Sequence, residues 1–250
     1  MDLKEIASGV NLDIHWYYQT KKIPLFRYIE KLCKLERQKF NVIDIGAGSG
    51  FFSNELYKNY AQFINNICLV DTGYTDKEII LSRHAPSEKA NVIPSNISHA
   101  LVIMMDVLEH VEDDLDLLTQ IKRASSGKNY FFITVPAFQS LWSSHDVYLG
   151  HHRRYEIADL QRLLASANFN ITDIYYIYGG IYSLVWLLRK FKTSDTSDMR
   201  PVPSLVNFLL KAVNTFEMNF RKYNWFFGVT CVVEGFILSE LKHNSMPKQV

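Results

Sequence analysis

Short runs of β-branched and aromatic residues alternate along the chain with longer stretches whose apolar residues recur every three or four positions. That alternation predicts strands joined by helices, and so a mostly parallel sheet. Residues 12–39 carry Ile23, Phe26, Ile29, Leu32 and Leu35 at helical spacing, which predicts an amphipathic first helix. Seven Lys or Arg lie between Lys21 and Lys39 and read as that helix's solvated face. FNVIDI at 40–45 predicts a strand, and residues 51–60 a helix after it. NNICLVD at 65–71, ALVIMMD at 100–106 and NYFFITVP at 129–136 predict further strands, while the stretch from 71 to 106 is irregular and leaves the third strand undefined. Residues 113–124 predict a helix with acids in its first turn and bases in its last, as the helix dipole favours, with Gly127 as its stop. An amphipathic helix at 156–169 precedes two late strands at 170–178 and 229–238. Between these lies a segment with a polar break at 193–203 and a helix at 204–220.

The 250 residues suit one domain, divided into an N-terminal helical segment (1–39), a core (40–178), a helical insertion (179–224) and a last strand with its tail (225–250). Hydrophobic residues at 48% and charged residues at 21% exclude a disordered or repetitive chain. The net charge of +1 argues against a protein held to long nucleic acid by phosphate neutralisation. Cys33, Cys68 and Cys231 are too few and too scattered for a disulfide framework or a zinc site, which points to a reducing, cytoplasmic compartment. No signal peptide is expected, because the first 13 residues contain no apolar core. The apolar stretches at 174–188 and 225–238 are 15 and 14 residues long, interrupted by Gly179-Gly180 and by Glu234. A spanning helix needs about 20, so these read as buried strands or a surface-docking helix.

The chemistry starts at Asp44-Ile-Gly-Ala-Gly-Ser-Gly50, between a predicted strand and a predicted helix. Ligands bind at that edge of an open α/β sheet, and glycines let backbone N–H groups approach them closely. Asp71, 21 residues after Gly50, ends the next strand, where its carboxylate is placed to accept from both hydroxyls of a ribose. Phe51 stands where a dinucleotide fingerprint needs glycine or alanine, which disfavours a nicotinamide dehydrogenase, and no lysine follows the loop as in a P-loop.

VIDIGAGSGFFS, LVDTGY and MMDVLEHVEDD together resemble the first, second and fourth motifs of class I S-adenosylmethionine-dependent methyltransferases, over residues 40–170. The resemblance implies a Rossmann-like fold with a mostly parallel seven-stranded sheet, helices on both faces and a helical insertion before the last strand. It implies S-adenosyl-L-methionine as cofactor, with Gly46, Ala47 and Gly48 along the methionine part, Asp71 at the ribose, and Gly50 and Thr72 also among the cofactor-binding residues. Asp44 would lie beneath the loop, and Asp106 and Val107 beside the methionine amino group, although both aspartates also suit loop or helix capping. Many relatives place an acid after the third strand to meet adenine; here that region reads NVIPSNIS, and Asn96 is the candidate.

Methyl transfer to a hydroxyl needs alignment and removal of a proton. Residues 135–156, leaving the fifth strand beside the cofactor, hold the candidates: His145 and His151 for catalysis, and Trp142, Asp146, Arg153, Arg154 and Tyr155 for the acceptor. A hydrogen-bonded structural loop with surface arginines is the competing reading. VPAF-x-x-LWS-x-HD-x-x-LGH-x-RRY is similar to a subgroup found in bacterial surface-glycan clusters (methyltransferase type 11/23-like), which implies a small-molecule, sugar or lipid-linked glycan acceptor. Asp106, Glu109 and His110 are similar to the E-x-x-E-H element of small-RNA 2′-O-methyltransferases and ubiquinone-pathway O-methyltransferases. That resemblance implies Glu109, His110 and His151 around Mg²⁺ or Mn²⁺, against the plainer reading that Glu109 and His110 simply open the following helix. Methylation of a carboxylate, an amine or an RNA end remains open, as does a non-catalytic cofactor-binding module. The insertion is expected to cap the acceptor pocket, to form a homodimer face, or to rest peripherally on the inner face of the membrane. The apolar residues beside Arg189, Lys190 and Lys192 fit an interfacial helix and equally a core helix with a basic end, and core packing is the favoured reading.

Overall fold

The computed structural model describes residues 9–82, 87–191 and 201–240; Lys192 and residues 193–200 of the polar break lie outside them. The strands are β1 (Phe40–Ile45), β2 (Ile64–Val70), β3 (Ser87–Ala90), β4 (Ile97–Ser98), β5 (Ala100–Met105), β6 (Ser125–Pro136), β7 (Asn170–Ile177) and β8 (Thr230–Ser239). They form one sheet in the order β3-β2-β1-β5-β6-β8-β7, parallel except for β8, which runs antiparallel to both neighbours. The two-residue β4 adds an eighth strand to the seven expected, pairing with the start of β6. The undefined third strand is β3, whose sequence SEKA carries no apolar signal because it sits at a half-exposed sheet edge.

The helices are α1 (Trp16–Leu35), α2 (Phe51–Tyr60), α3 (Asp76–Ser82), α4 (Asp114–Ala124), α5 (Ser144–Leu149), α6 (Ile157–Ser166), α7 (Tyr182–Phe191) and α8 (Ser204–Glu217). One core packs α1 and α2 on one face of the sheet, through Leu25, Ile29, Leu32 and Leu56 against Val42, Leu101 and Phe132. The other packs α4 and α6 on the opposite face, through Leu118, Ile121, Leu160 and Leu164 against Val102, Met104 and Ile133. Burying roughly 25 cal/mol per Å² of apolar surface on both faces holds the sheet between its helices.

Two local expectations change. Gly127 does not stop α4: Ser125 turns extended and caps it, and β6 runs on through Gly127 at φ +65°. The buried side of α1 is Tyr17, Tyr18, Lys21, Leu25, Tyr28, Ile29 and Leu32, while Leu35 is exposed. Lys21 therefore points into the protein and not to water, because an acid waits beneath it.

Candidate functional site

The strand order reverses between β1 and β5, and that reversal opens a crevice at the carboxyl ends of both strands. The glycine turn leaves β1 there, and Asp106 and Val107 leave β5. Gly46 takes φ +69°, where its N–H and that of Ala47 bond to the Val70 carbonyl at 2.7 and 3.1 Å. A Cβ at Gly46 would stand 2.6 Å from Val107 Cγ2, so the position needs glycine both for its conformation and for the close approach. Gly50 opens α2 in the left-handed region, and Asp44 beneath the turn accepts from the Ser53 hydroxyl at 2.6 Å. Asp44 thus ties β1 to α2.

Asp71 braces the turn from the next strand. Its Oδ2 accepts from the Gly48 amide and its Oδ1 from the Gly73 amide, both at 2.9 Å. A carboxylate has about four lone-pair sites, so one on each oxygen is left for a ligand. Asp71 faces a cavity of about 630 Å³ together with Gly46, Thr72, Asp106 and Val107. The walls are largely apolar, among them Val70, Ile93, Val111 and Leu117, and the volume lies in the range of a nucleoside-sized ligand.

Asn96 does not reach this cavity. It is exposed, and Asn91, Val92 and Ile93 line the cavity instead. The reason is register: β3 ends at Ala90, so the residue following the third strand is Asn91.

Asp106 is buried at φ +56°, a conformation that costs about 1–3 kcal/mol at a residue other than glycine. Its Oδ1 accepts from the Thr134 hydroxyl at 2.9 Å, and its Oδ2 accepts from the Lys21 ammonium. Lys21 also donates to the Tyr17 hydroxyl at 2.6 Å. Burial opposes the charge of Asp106, but Lys21 and Thr134 bring its carboxyl below the ordinary value. Lys21 and Tyr17 belong to this site although the charge pattern of α1 placed Lys21 in solvent.

A second cavity of about 60 Å³ touches the first through Asp106 and Leu149 and is lined by Tyr17, Glu109, His145, His151, Arg154 and Arg189 among others. It collects three of the candidates from residues 135–156: His145, His151 and Arg154. Asp146 is their support. It is fully buried, takes the His151 Nδ1 at 2.8 Å and the Arg154 Nε and Nη2 at 2.8 and 2.7 Å, and completes the capping box of α5 with Ser143. Burial opposes its charge, and His151, Arg154 and Arg189 overcome that to hold it far below the usual carboxylate range.

The remaining acceptor candidates point elsewhere. Tyr155 donates to Asp114 at 2.7 Å, and Arg153 bonds the same carboxylate at 2.9 Å and the Glu112 carbonyl at 2.6 Å. Both are committed to the start of α4, and Trp142 is half-buried outside either cavity.

Glu109, His110 and His151 converge: one ligand atom from each lies within 4.8 Å of the others. Glu109 is fully buried and neither carboxylate oxygen has a hydrogen-bond partner, nor does His151 Nε2. Burial and then the Asp106 charge push the Glu109 carboxyl well above its ordinary value. An unpaired buried carboxyl costs about 1–3 kcal/mol, and a cation on this mixed carboxylate–imidazole set would remove that cost.

A family model described as a methyltransferase domain matches residues 16–174. No curated protein matches the chain. A SAM-dependent methyltransferase from Archaeoglobus fulgidus shares 16% identity at TM-score 0.53, with 94% of this chain and 98% of that one covered. An S-adenosylmethionine-dependent methyltransferase from Mesorhizobium loti shares 13% at TM-score 0.55, covering 90% and 100%. A chain from the Haloferax volcanii complex of the Trm112 methyltransferase activator with a methyltransferase shares 14% at TM-score 0.52, covering 81% and 84%. At these identities the likeness is one of fold.

Proposed function

The chain belongs to the methyltransferase-domain family, and from that membership we propose that it transfers a methyl group from S-adenosylmethionine to an oxygen of a small-molecule, sugar or lipid-linked glycan acceptor. The observation that carries this reading is the pairing of an open cavity braced by Asp71 with a smaller one that charged side chains line, joined at Asp106. When bound, the cofactor supplies an electrophilic methyl on a sulfonium. The larger cavity holds it: Gly46 gives close backbone access, Asp71 keeps a lone pair on each oxygen for the ribose, and Asn91 to Ile93 meet the base.

The protein's part at the acceptor is to orient it and hold its proton. Asp146 fixes the His151 ring at Nδ1 and leaves Nε2 without a partner at the wall of the smaller cavity. That tautomer accepts a proton at Nε2, so His151 serves as the base, with His145 beside it. Arg154 recognises an oxygen-rich acceptor through the donors left by Asp146 and by the Ala137 carbonyl, which takes Nη1 at 3.0 Å.

The alternative use of His151 is to hold a divalent cation through Nε2, together with Glu109 and His110, and it then cannot act as the base; this is supported by the unpartnered carboxylate of Glu109. Such an ion would polarise an acceptor hydroxyl and ease its deprotonation. The test is methyl transfer from labelled cofactor to a panel of cell-derived sugars and lipids, with and without chelator. Transfer abolished by chelation and restored by Mn²⁺ supports the cation, and transfer indifferent to chelator leaves His151 as the base alone. His151→Ala should lower transfer by about 10²-fold or more while cofactor affinity stays within a few-fold. No transfer to any acceptor would favour a binding module.

A further inference from the structure

The two insertion helices are inside out. In α8 the side chains turned to the protein are mostly polar, with the half-buried Leu210 among them: Asn207 accepts from the Trp16 amide at 2.8 Å and donates to the Ile14 carbonyl at 2.9 Å. Asn214 is fully buried, and Glu217 accepts from the Gly179 and Gly180 amides at 2.8 and 2.9 Å. The outward face carries Leu205, Phe208, Leu209, Val213 and Phe216, with both phenylalanines 66% exposed. A helix on a water-facing surface has the opposite arrangement. In α7 the same inversion recurs. Arg189 turns inward to the Leu141 carbonyl at 2.8 Å and to Asp146 at 3.6 Å, while Leu184, Leu187 and Leu188 face out.

A third apolar segment completes the face. Trp225 and Phe226 are 63% and 77% exposed on the loop between α8 and β8. Glu217 fastens the end of α8 to the entry of α7, and the Tyr182 ring lies 5.8 Å from that of Phe227, so the three segments are neighbours. Together they concentrate exposed apolar side chains in neighbouring segments, beyond the singly scattered ones normal for a monomer.

Its charge says what covers it. Lys190 lies over the Trp186 ring at 4.9 Å and Lys211 is exposed on α8; neither pairs with an acid among the described residues. The one acid of α8, Glu217, is committed to backbone amides. A two-fold contact between copies would set each lysine-bearing face against itself, where like charges repel. An anionic lipid surface offers these lysines opposite charge, and aromatic rings at the rim suit the headgroup boundary. At 14 residues and about 1.5 Å per residue, α8 extends only about 21 Å, and no described helix is long and apolar enough to cross a membrane.

We propose that this face docks the protein flat on the surface of an anionic lipid bilayer. Its inner edge adjoins the catalytic segment: Arg189 bonds Leu141, and the Tyr182 ring lies 5.6 Å from Phe138. The smaller cavity lies beside the docked helices, since Arg189 of α7 is part of its wall. The surface itself stands on the insertion alone and holds whatever the reaction is.

The experiment is flotation of the full chain with vesicles of phosphatidylcholine alone or mixed with phosphatidylglycerol, beside light scattering of the free protein. The protein should float with the anionic vesicles, and about tenfold less with the neutral ones or in high salt. Trp225→Ser with Phe226→Ser, and separately Lys190→Glu with Lys211→Glu, should each weaken flotation by about tenfold or more. Both variants should bind S-adenosylmethionine in calorimetry as the parent does, which shows them folded. Failure to float with anionic vesicles would overturn the proposal. So would a stable dimer in solution that the same substitutions split into monomers. A protein that floats but binds no cofactor would keep this surface and refute the methyltransferase reading.

Discussion

A wholly buried lysine beside a buried aspartate dominates the chemistry of single residues here. Lys21 and Asp106 are both removed from water, and each makes the other tolerable. Lys21→Met should therefore destabilise the protein by about 3–5 kcal/mol, because it leaves Asp106 charged and alone. Adding Asp106→Asn should recover much of that loss, since the orphaned charge is gone. Denaturant titration of these variants and of Asp106→Asn alone checks this, and a double-variant loss equal to the sum of the two single losses would mean the pair is not coupled. Sequence spacing could not show this contact, since 85 residues separate the partners and the lysine sits among six other bases. Gly46, Asp71 and Val107 were legible because a turn, a strand end and a cavity wall are local features. Arg153 and Tyr155 were misassigned because their distant partner, Asp114, decides where they point.

Among the elements, strands with continuous apolar runs were read almost to the residue, as at Phe40–Ile45 and Ala100–Met105. The edge strand Ser87–Ala90 was not, and missing it put the candidate for the base at Asn96, outside the cavity that Asn91 lines. The helix at 204–220 was predicted from its period, but its orientation was not, because period alone does not say which face looks inward. In β8 a polar residue is buried where the pattern reads apolar. Glu234 accepts from the Tyr175 hydroxyl at 2.7 Å, and burial holds its carboxyl above the ordinary value. The protonated form is therefore the one the fold prefers, and the stability it contributes is full below the ordinary carboxylate range and lost as pH rises through its folded value. Glu234→Gln keeps an acceptor and cannot ionise, so its advantage over the parent should widen from acidic to neutral pH. Thermal melts across that range check it, and parallel curves would show that Glu234 does not titrate in the fold.

At the scale of the whole molecule, the reversal of strand order between β1 and β5 sets everything else in place. It opens the larger cavity, brings the ends of β1 and β5 to its rim, and puts the segment after β6 beside it, at the smaller cavity. The N-terminal α1 crosses one face of the sheet to deliver Lys21 and Tyr17, and α8 binds that helix through Asn207. The fold class, the cofactor crevice and the triad of Glu109, His110 and His151 were legible in the sequence, since motifs carried them. The second cavity was not, because it is assembled from α1, the segment after β6 and α7, which no spacing relates. The claim on which all of this depends is that the crevice binds S-adenosylmethionine with Asp71 at its ribose. Isothermal titration calorimetry of the parent and of Asp71→Ala tests it most directly. The parent should take up one equivalent, and the variant should bind about tenfold or more weakly, the loss expected for hydrogen bonds to a charged acceptor. Absence of uptake by the parent, or equal affinity in the two proteins, would contradict it.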